Sequence, residues 1–354
     1  MTYPRILIYP KRIEQNVETI VNLCNKQNIK VAGVTKGVCA HEDVVDSFVN
    51  GGVKYLADSR IKNLKKLQKY KLPKVMLRLP MISEAKEVIK YSDISLNSEL
   101  ETIKVLSKAA IKDNKIHKII LMIDLGDLRE GYFTKEDLYK NVEKILDFKG
   151  IKIVGIGTNL TCYGGIIPER SILEKLIKYK EKLRLKFNLD LEIISGGNSS
   201  TIGLVNKDIP KEINNLRLGE ALLIGKETAY GKHIEGTSSS GFILEVEIIE
   251  IKEKPSIPIG KIGMDAFGDI PTFYDKGIRK RIICGVGKQD VKLESLTPVD
   301  RDLIILGGSS DHMILDGSDS KIDYNIGDIL RFNLRYGGIL SAMTSEYIEK
   351  ISIY

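Results

Sequence analysis

The chain has 354 residues, of which 43% are hydrophobic and 29% charged, with a net charge of +7. This is an ordinary globular composition, long enough for one large or two medium domains around a substantial core. The lysines are scattered over segments such as RIKNLKKLQKY, Trp is absent and no aromatic–basic cluster appears, which excludes nucleic acid as an expected partner; no apolar run approaches the ~18 residues of a membrane span, so no membrane is expected either.

In chain order, the opening RILIY is strand-like and a helical stretch follows to about Asn28. Eight apolar runs then recur: KVAGVTK, VKYLADS, KVMLRL, DISLN, KIILMIDL, KIVGIGTNL, LEIIS and NNLRLGEALLIG. They are nearly continuous in hydrophobicity, as expected of parallel strands covered by helices. The segments between them carry helical spacing. Val44, Val45, Phe48 and Val49 form one stripe closed by Gly51 or Gly52, Ile61, Leu64 and Leu67 share a face, and Pro168 stands near the start of a long amphipathic stretch. Eight alternating β and α units predict an α/β fold, a closed (β/α)8 TIM-like barrel, over residues 1–235. After GTSSSG (236–241) the texture changes to strand-like runs separated by Gly, Pro and Asp turns, FILEVEIIEIKE to EYIEKISIY. Residues 236–354 are therefore expected to form a C-terminal all-β domain, with residues 1–10 a candidate additional strand of it.

Cys24, Cys39, Cys162 and Cys284 lie far apart, without C-x-x-C spacing. Neither a metal centre nor a disulfide framework is expected, and with an N-terminus, MTYPRILIYPKR, that lacks the apolar core of a secretion signal, a cytoplasmic protein is.

The C-terminal ends of barrel strands are where such folds place reactive groups. Here those ends carry Lys36, Asp58 with Arg60, Arg78, Asn97, Asp124 to Arg129, Asn159 with Tyr163, Ser195 to Ser199, and Arg217. Each alone has a bland explanation: a solvated charge, a salt-bridge partner, or, for SGGNSS, a turn and helix cap. Together they make a pattern, with hydroxyl and N–H donors suited to phosphate on the last two strands and a lysine on the first, facing them.

The motifs GVTKGVCAH, LADSRIKNLKKL, MIDLGDLREGYF, NLTCYG, SGGNSS, NLRLGEALLIG, IPIGKIGMDAFGD and GIRKRII, in this order, resemble the fold-type III pyridoxal-phosphate enzymes of the alanine racemase family, and within it the branch that includes ornithine racemase. The resemblance spans essentially the whole chain. It implies that Lys36 holds pyridoxal 5'-phosphate covalently and serves as one acid–base group at the substrate Cα. It implies phosphate binding by Asn198, Ser199 and the N–H groups around Gly219, a hydrogen bond from Arg217 to the ring nitrogen, and cofactor and substrate-carboxylate contacts from Arg129. An arginine does not readily give up a proton, so it leaves that nitrogen unprotonated and the ring a weaker electron sink. The resemblance further implies a homodimer with active sites at the subunit interface, the second base coming from the partner.

The chain departs from the family at several places. The tyrosine that is the family's second base has no counterpart in GMDAFGD: one alignment puts Asp265 there, a shift of one residue Met264, which cannot transfer protons. Asp265 is the first choice and Tyr274 the second, with burial expected to raise the Asp265 pKa; the alternative is that Asp265 shapes a turn. A family tyrosine four residues after the lysine is Ala40, the strand-six histidine is Asn159, and Glu220 stands beside the phosphate loop, expected to point away or meet a lysine. GGSSDHM places Asp311 at the family's substrate-side aspartate, with Ser310 where decarboxylases carry cysteine. The implied activity is racemisation of a free amino acid, ornithine first, with Asp58, Asp127 and Glu130 as possible partners for a distal ammonium. The alternatives are another reaction on the same cofactor (decarboxylation or aldol cleavage) and a non-catalytic pyridoxal-phosphate-binding homeostasis protein.

Overall fold

The computed structural model describes residues 2–354. They form two compact units: Pro10–Ser239, and Ser240–Tyr354 together with the stretch ending at Tyr9.

After strand β1 (Arg5–Ile8), the strands β2 (Lys30–Val34), β3 (Tyr55–Asp58), β4 (Lys74–Met76), β5 (Ile94–Asn97), β6 (His117–Met122), β7 (Ile151–Gly157), β8 (Ile193–Ser195) and β9 (Asn215–Leu218) follow in order. The last eight close into a parallel barrel, sealed where Gly33 of β2 pairs with Leu218 of β9. Inward-facing Ala32, Val34, Ala57, Val75, Ile94, Leu96, Ile120, Met122 and Val154 make one buried cluster, so the barrel is a packed core and not a pore. Helices cover the outside by their apolar stripes. In Pro10–Asn25 the buried face is Ile13, Val17, Ile20, Val21 and Cys24, the 3.6-residue period of an amphipathic helix.

Each of the eight apolar runs carries one barrel strand, with one boundary displaced. NNLRLGEALLIG does not remain extended. At Gly219 the chain turns, the N–H groups of Leu222 and Leu223 bond back to the Gly219 carbonyl, and Glu220–Ile224 is a short helix. Ala221 to Ile224 are all buried, and an apolar run buried on all sides carries no period to distinguish strand from helix.

Gly155 leaves room where β8 comes close to β7. A Cβ there would lie 2.2 Å from the Ile193 carbonyl oxygen and 2.8 Å from its Cβ, with backbone that cannot step aside. Gly155→Ala is expected to lower stability by about 2 kcal/mol through overpacking, read as a lower urea midpoint with unchanged slope.

The second unit is a mostly antiparallel sheet of β10 (Phe242–Pro255), β11 (Ile278–Cys284), β12 (Leu296–Pro298), β13 (Ile304–Gly308), β14 (Met313–Asp316), β15 (Ile329–Leu334) and β16 (Glu349–Ser352), in the order β12-β15-β10-β11-β14-β13. β1 pairs antiparallel with β10 and parallel with β16. Across this junction Glu245, buried, accepts from Arg5 at 2.7 Å and Arg331 at 2.8 Å. The unit is not purely β: Tyr336–Thr344 is a helix burying Ile339, Ala342 and Met343, a stripe masked in the sequence by two adjacent glycines with poor helix propensity. Among the described residues no helix is long and apolar enough to cross a membrane.

Candidate active site

The site is built on the loops at the C-terminal ends of the barrel strands. Among the described residues seven other than glycine have positive φ, and three of them are asparagines, Asn28, Asn114 and Asn188, which tolerate it. The other four, Cys39, Ala40, Leu128 and Thr161, all lie on these loops. A left-handed residue with a Cβ costs about 1–2 kcal/mol, and strain of this kind concentrates at functional sites.

Lys36 stands two residues beyond β2, opening a 3-10 turn, Lys36–Val38, that the left-handed Cys39 and Ala40 bend into the next helix. The turn is pinned from below. The Thr35 hydroxyl, fully buried, donates to Asp58 Oδ2 at 2.6 Å, and Asp58 Oδ1 accepts from Asn63 Nδ2 at 3.1 Å and the Arg60 N–H at 2.9 Å. By surface area Lys36 is exposed, yet desolvation pushes its pKa below the ordinary lysine value, with the charges of Cys162, Arg129, Asp58 and Glu130 as smaller influences. Both statements hold in a concave mouth, where water touches the side chain while protein atoms displace the bulk beyond it. Among the described residues no hydrogen bond or ion pair engages its ammonium.

Arg129 and Glu130 are carried on the loop after β6. That loop is drawn shut by backbone bonds from Asp124 N–H to the Tyr132 carbonyl (3.1 Å) and from Tyr132 N–H to the Met122 carbonyl (2.8 Å). Gly131, at φ +130, makes the approach possible, since a Cβ there would sit 2.5 Å from the Asp124 nitrogen. Asp127, buried, staples this loop to the next by accepting from the N–H groups of Cys162 (3.1 Å), Tyr163 (2.9 Å) and Ile166 (3.2 Å). At the rim Arg129 and Glu130 form a two-point ion pair: Nε to Oε2, and Nη2 to Oε1 at 2.7 Å.

Arg217, on β9, points into the barrel and is 4% exposed. Its guanidinium donates to Ser195 Oγ, to the Thr158 carbonyl at 2.7 Å and to Asn159 Oδ1 at 3.3 Å. Burial lowers its pKa to about 10, so it remains charged at neutral pH. Ser199 Oγ, buried, accepts from the N–H groups of Gly219 (3.3 Å) and Ala221 (3.2 Å). These long bonds are weak and leave the two donors open to a stronger acceptor. Gly219 abuts Val34, and β9 is the neighbour of β2. The candidate phosphate seat is therefore beside Lys36, not across the mouth from it; barrel closure makes the first and last strands adjacent.

Several expected site residues are otherwise occupied. The Asn198 amide donates to Asn159 Oδ1 (3.0 Å), the Leu160 carbonyl (2.9 Å) and Cys162 Sγ (3.2 Å), and its oxygen accepts from Ser200 N–H, so it holds loops together. Asp58 and Asp127 are committed to Thr35 and to backbone, and Glu130 to Arg129, which removes the expected partners for a distal ammonium. Glu220 is half-buried and meets no lysine in an ion pair among the described residues. Desolvation raises its pKa to about 7, against a smaller opposing influence of Lys226.

Asp265 lies in the other unit, on the irregular segment between β10 and β11, and its pKa is lowered, contrary to expectation. The backbone N–H groups of Phe267 (2.8 Å) and Asp269 (3.0 Å) donate to its Oδ1, and Lys288 lies 4.0 Å from Oδ2. In the single chain Asp265 shapes a turn. Tyr274 on the same segment is 79% exposed. Asp311 is exposed in the turn between β13 and β14 and accepts from His312 Nδ1 and Ser309 Oγ, both at 2.9 Å. Sequence reasoning missed Thr158 as an Arg217 partner, and Cys162 and Glu130 as charges acting on Lys36. The only local signal was their place on loops that follow strands.

Comparison with known proteins gives this geometry its context. The family model for the alanine racemase N-terminal domain matches residues 8–227. Ornithine racemase of Acetoanaerobium sticklandii is 52% identical over 349 residues, covering 98% of this chain and 99% of that protein. Lysine racemase of Thermotoga maritima is 42% identical over 354 residues, covering 99% of each. Among solved structures, alanine racemase from Bartonella henselae with covalently bound pyridoxal phosphate superposes with a TM-score of 0.74 at 18% identity over the full length of both chains, and the Streptomyces lavendulae alanine racemase with 0.76 at 13%, covering 100% of this chain and 98% of that one. The two structures speak for the fold; the family-model match and the two full-length relatives speak for descent, and with them the barrel mouth just described is that of a chain belonging to the alanine racemase family.

Proposed function

We propose that this member of the alanine racemase family is a pyridoxal-phosphate-dependent racemase of a free basic amino acid, ornithine first and lysine second. The observation that carries the reading is a partly desolvated amine just beyond β2, with no hydrogen bond or ion pair among the described residues and close enough to Arg129 to feel its charge, in a chain 52% identical to an ornithine racemase.

The donor set suits the cofactor. Lys36 would hold its aldehyde, Arg217 would donate to its ring nitrogen, Arg129 would offer a cation to its phenolate, and Ser199 with the N–H of Gly219 would supply weakly engaged donors to its phosphate. When bound, pyridoxal phosphate supplies an electron sink that acidifies the Cα–H bond of an amino acid. The residues do the rest. Desolvation keeps more of Lys36 as the free base, the form that would hold the cofactor's aldehyde carbon and would take a proton from one face of Cα. Arg217, buried and triply bonded, stays protonated and holds its place. Arg129 offers a carboxylate-binding edge, and Asn198 keeps the loop of Ser199 in position.

The other face needs a second proton carrier, and we assign it to Asp265 of a partner subunit, with Tyr274 as runner-up. The segment that carries them displays Ile259, Met264, Ile270 and Tyr274 at 92, 74, 68 and 79% exposure, an apolar surface that supports a homodimer. Docking would desolvate Asp265 and oppose the lowering seen in the single chain. Asp311 belongs to the same reading as a substrate-side group. Free thiols on all four cysteines support a cytoplasmic setting.

The test is incubation of the holoenzyme with L-ornithine in D2O. Loss of optical rotation with deuterium entering at Cα, at comparable rates from either enantiomer, is the expected result. Evolution of CO2 would identify a decarboxylase, cleavage to an aldehyde and glycine an aldolase, and absence of exchange with every amino acid of a panel a mere binder; any of these overturns the reading.

A further inference from the structure

At the barrel mouth one carboxylate grips an arginine and, through an asparagine, reaches a second, in a way the racemase reading leaves unused. Glu130 is the carboxylate. It is 13% exposed at the side chain and grips Arg129 at two points. It also accepts from Asn159 Nδ2 at 2.9 Å. The Asn159 oxygen in turn accepts from Arg217 Nη2 at 3.3 Å and Asn198 Nδ2 at 3.0 Å. That amide cannot turn over, because its oxygen would then face a carboxylate and its nitrogen two donors. Glu130 is also among the charges acting on Lys36, Arg129 and Arg217 alike. One oxygen pair thus fixes the orientation of one arginine, the polarity of the amide that reaches the other, and part of the field at the lysine.

The geometry of the Arg129 pair decides which side of the guanidinium works. An arginine has two edges able to take a carboxylate in parallel hydrogen bonds, Nε with one Nη, and the two Nη together. Glu130 occupies the first. What remains for a substrate carboxylate is the terminal Nη1/Nη2 edge. Resting on the racemase reading, we infer that Glu130 is a positioning residue: it clamps Arg129 so that only this terminal edge is offered, it fixes through Asn159 the amide oxygen that Arg217 donates to, and its negative charge acts at the mouth that holds Lys36. Without it Arg129 would rotate freely at the rim, the mouth would gain a net positive charge, and the Lys36 ammonium would be disfavoured further.

Two variants test this. In Glu130→Gln the charge is lost and the amide cannot accept as two-pointed a pair. In Glu130→Asp the charge stays but is drawn back by one methylene. The first readout needs no cofactor: the pH dependence of Lys36 acylation in the apoprotein, followed by peptide mass spectrometry. Loss of the negative charge is expected to move its midpoint down by about half a pH unit, and Glu130→Asp is expected to restore it. The second readout is the holoenzyme, where Glu130→Gln is expected to raise KM for the amino acid about tenfold with a smaller change in kcat, and Glu130→Asp to raise KM without shifting the Lys36 midpoint. A merely structural role would lower the melting temperature and move neither quantity. If Glu130→Gln leaves the midpoint within about 0.2 pH unit and KM within about twofold of the unmodified protein, the inference falls. Should Glu130→Gln fail to fold, Glu130→Asp decides alone: an unchanged KM overturns the clamp and a raised KM with an unchanged midpoint supports it. Failure of the racemase reading would be seen separately, as absence of turnover in the unmodified holoenzyme.

Discussion

Lys36→Ala is expected to leave a folded protein that borohydride cannot link to pyridoxal phosphate, and to reduce racemisation by roughly 10⁴-fold, about 5.5 kcal/mol of barrel-mouth chemistry. The fold should tolerate it because the Lys36 side chain is exposed by area and no hydrogen bond among the described residues depends on its ammonium; the turn it opens is held by Thr35 and Asp58. The pH dependence carries the argument further. Lys36 has its pKa below the ordinary lysine value of 10.5, chiefly through desolvation. The rate of cofactor capture by the apoprotein should therefore rise with pH through a midpoint lower than that of the exposed lysines, since only the free amine attacks. Peptide mapping after reduction gives the location. An adduct that persists undiminished in Lys36→Ala, or a capture midpoint no lower than that of exposed lysines, would remove Lys36 from its assigned role and with it the chemistry proposed for Arg217 and Ser199.

The fold was largely legible because parallel strands covered on both faces spell themselves as apolar runs. The two places where the reading failed share a cause. Ala221 to Ile224 and the stripe of Ile339, Ala342 and Met343 are short, buried segments in which hydrophobicity is present but its period is hidden, by burial on all sides in one and by a glycine pair in the other. The strand ends themselves were legible, and the charge of Arg129 acts on both Lys36 and Arg217. What each polar side chain does there was not legible. Asp127 bonds backbone 35 to 39 residues away and Asn198 reaches 36 to 39 residues back, distances over which local spacing carries no information. Asp265 shows the converse. Its turn is local, G-M-D-A-F-G-D, and its Phe267 and Asp269 partners lie two and four residues on. The expectation of a raised pKa looked past that turn to a burial the single chain does not provide.

Arg217→Met carries the largest expected cost among the buried residues of the mouth, and two opposing terms set its size. Removing the guanidinium relieves a charge that burial has already pushed down to about 10, and replacing buried ion networks by apolar groups can be neutral or favourable. Here, however, the substitution takes one member and leaves the rest. The Thr158 carbonyl loses its 2.7 Å donor, the Ser195 hydroxyl and the Asn159 oxygen each lose one, and Glu130 loses one of the cations that balance it. An unpaired buried acceptor costs about 1–3 kcal/mol, and the Thr158 and Ser195 groups are fully buried. The loss should win, lowering the stability of the apoprotein by about 2 kcal/mol, read as a lower urea midpoint. Arg217→Lys keeps the charge but cannot reach three acceptors that lie in different directions, so its midpoint should fall between the two. Racemisation should fall in both variants, because neither would present the planar donor that we assign to the cofactor's ring nitrogen. If Arg217→Met were instead as stable as the unmodified protein, the three hydrogen bonds would be doing no more than offsetting the desolvation of the charge, and the residue would be held in the barrel for its chemistry alone.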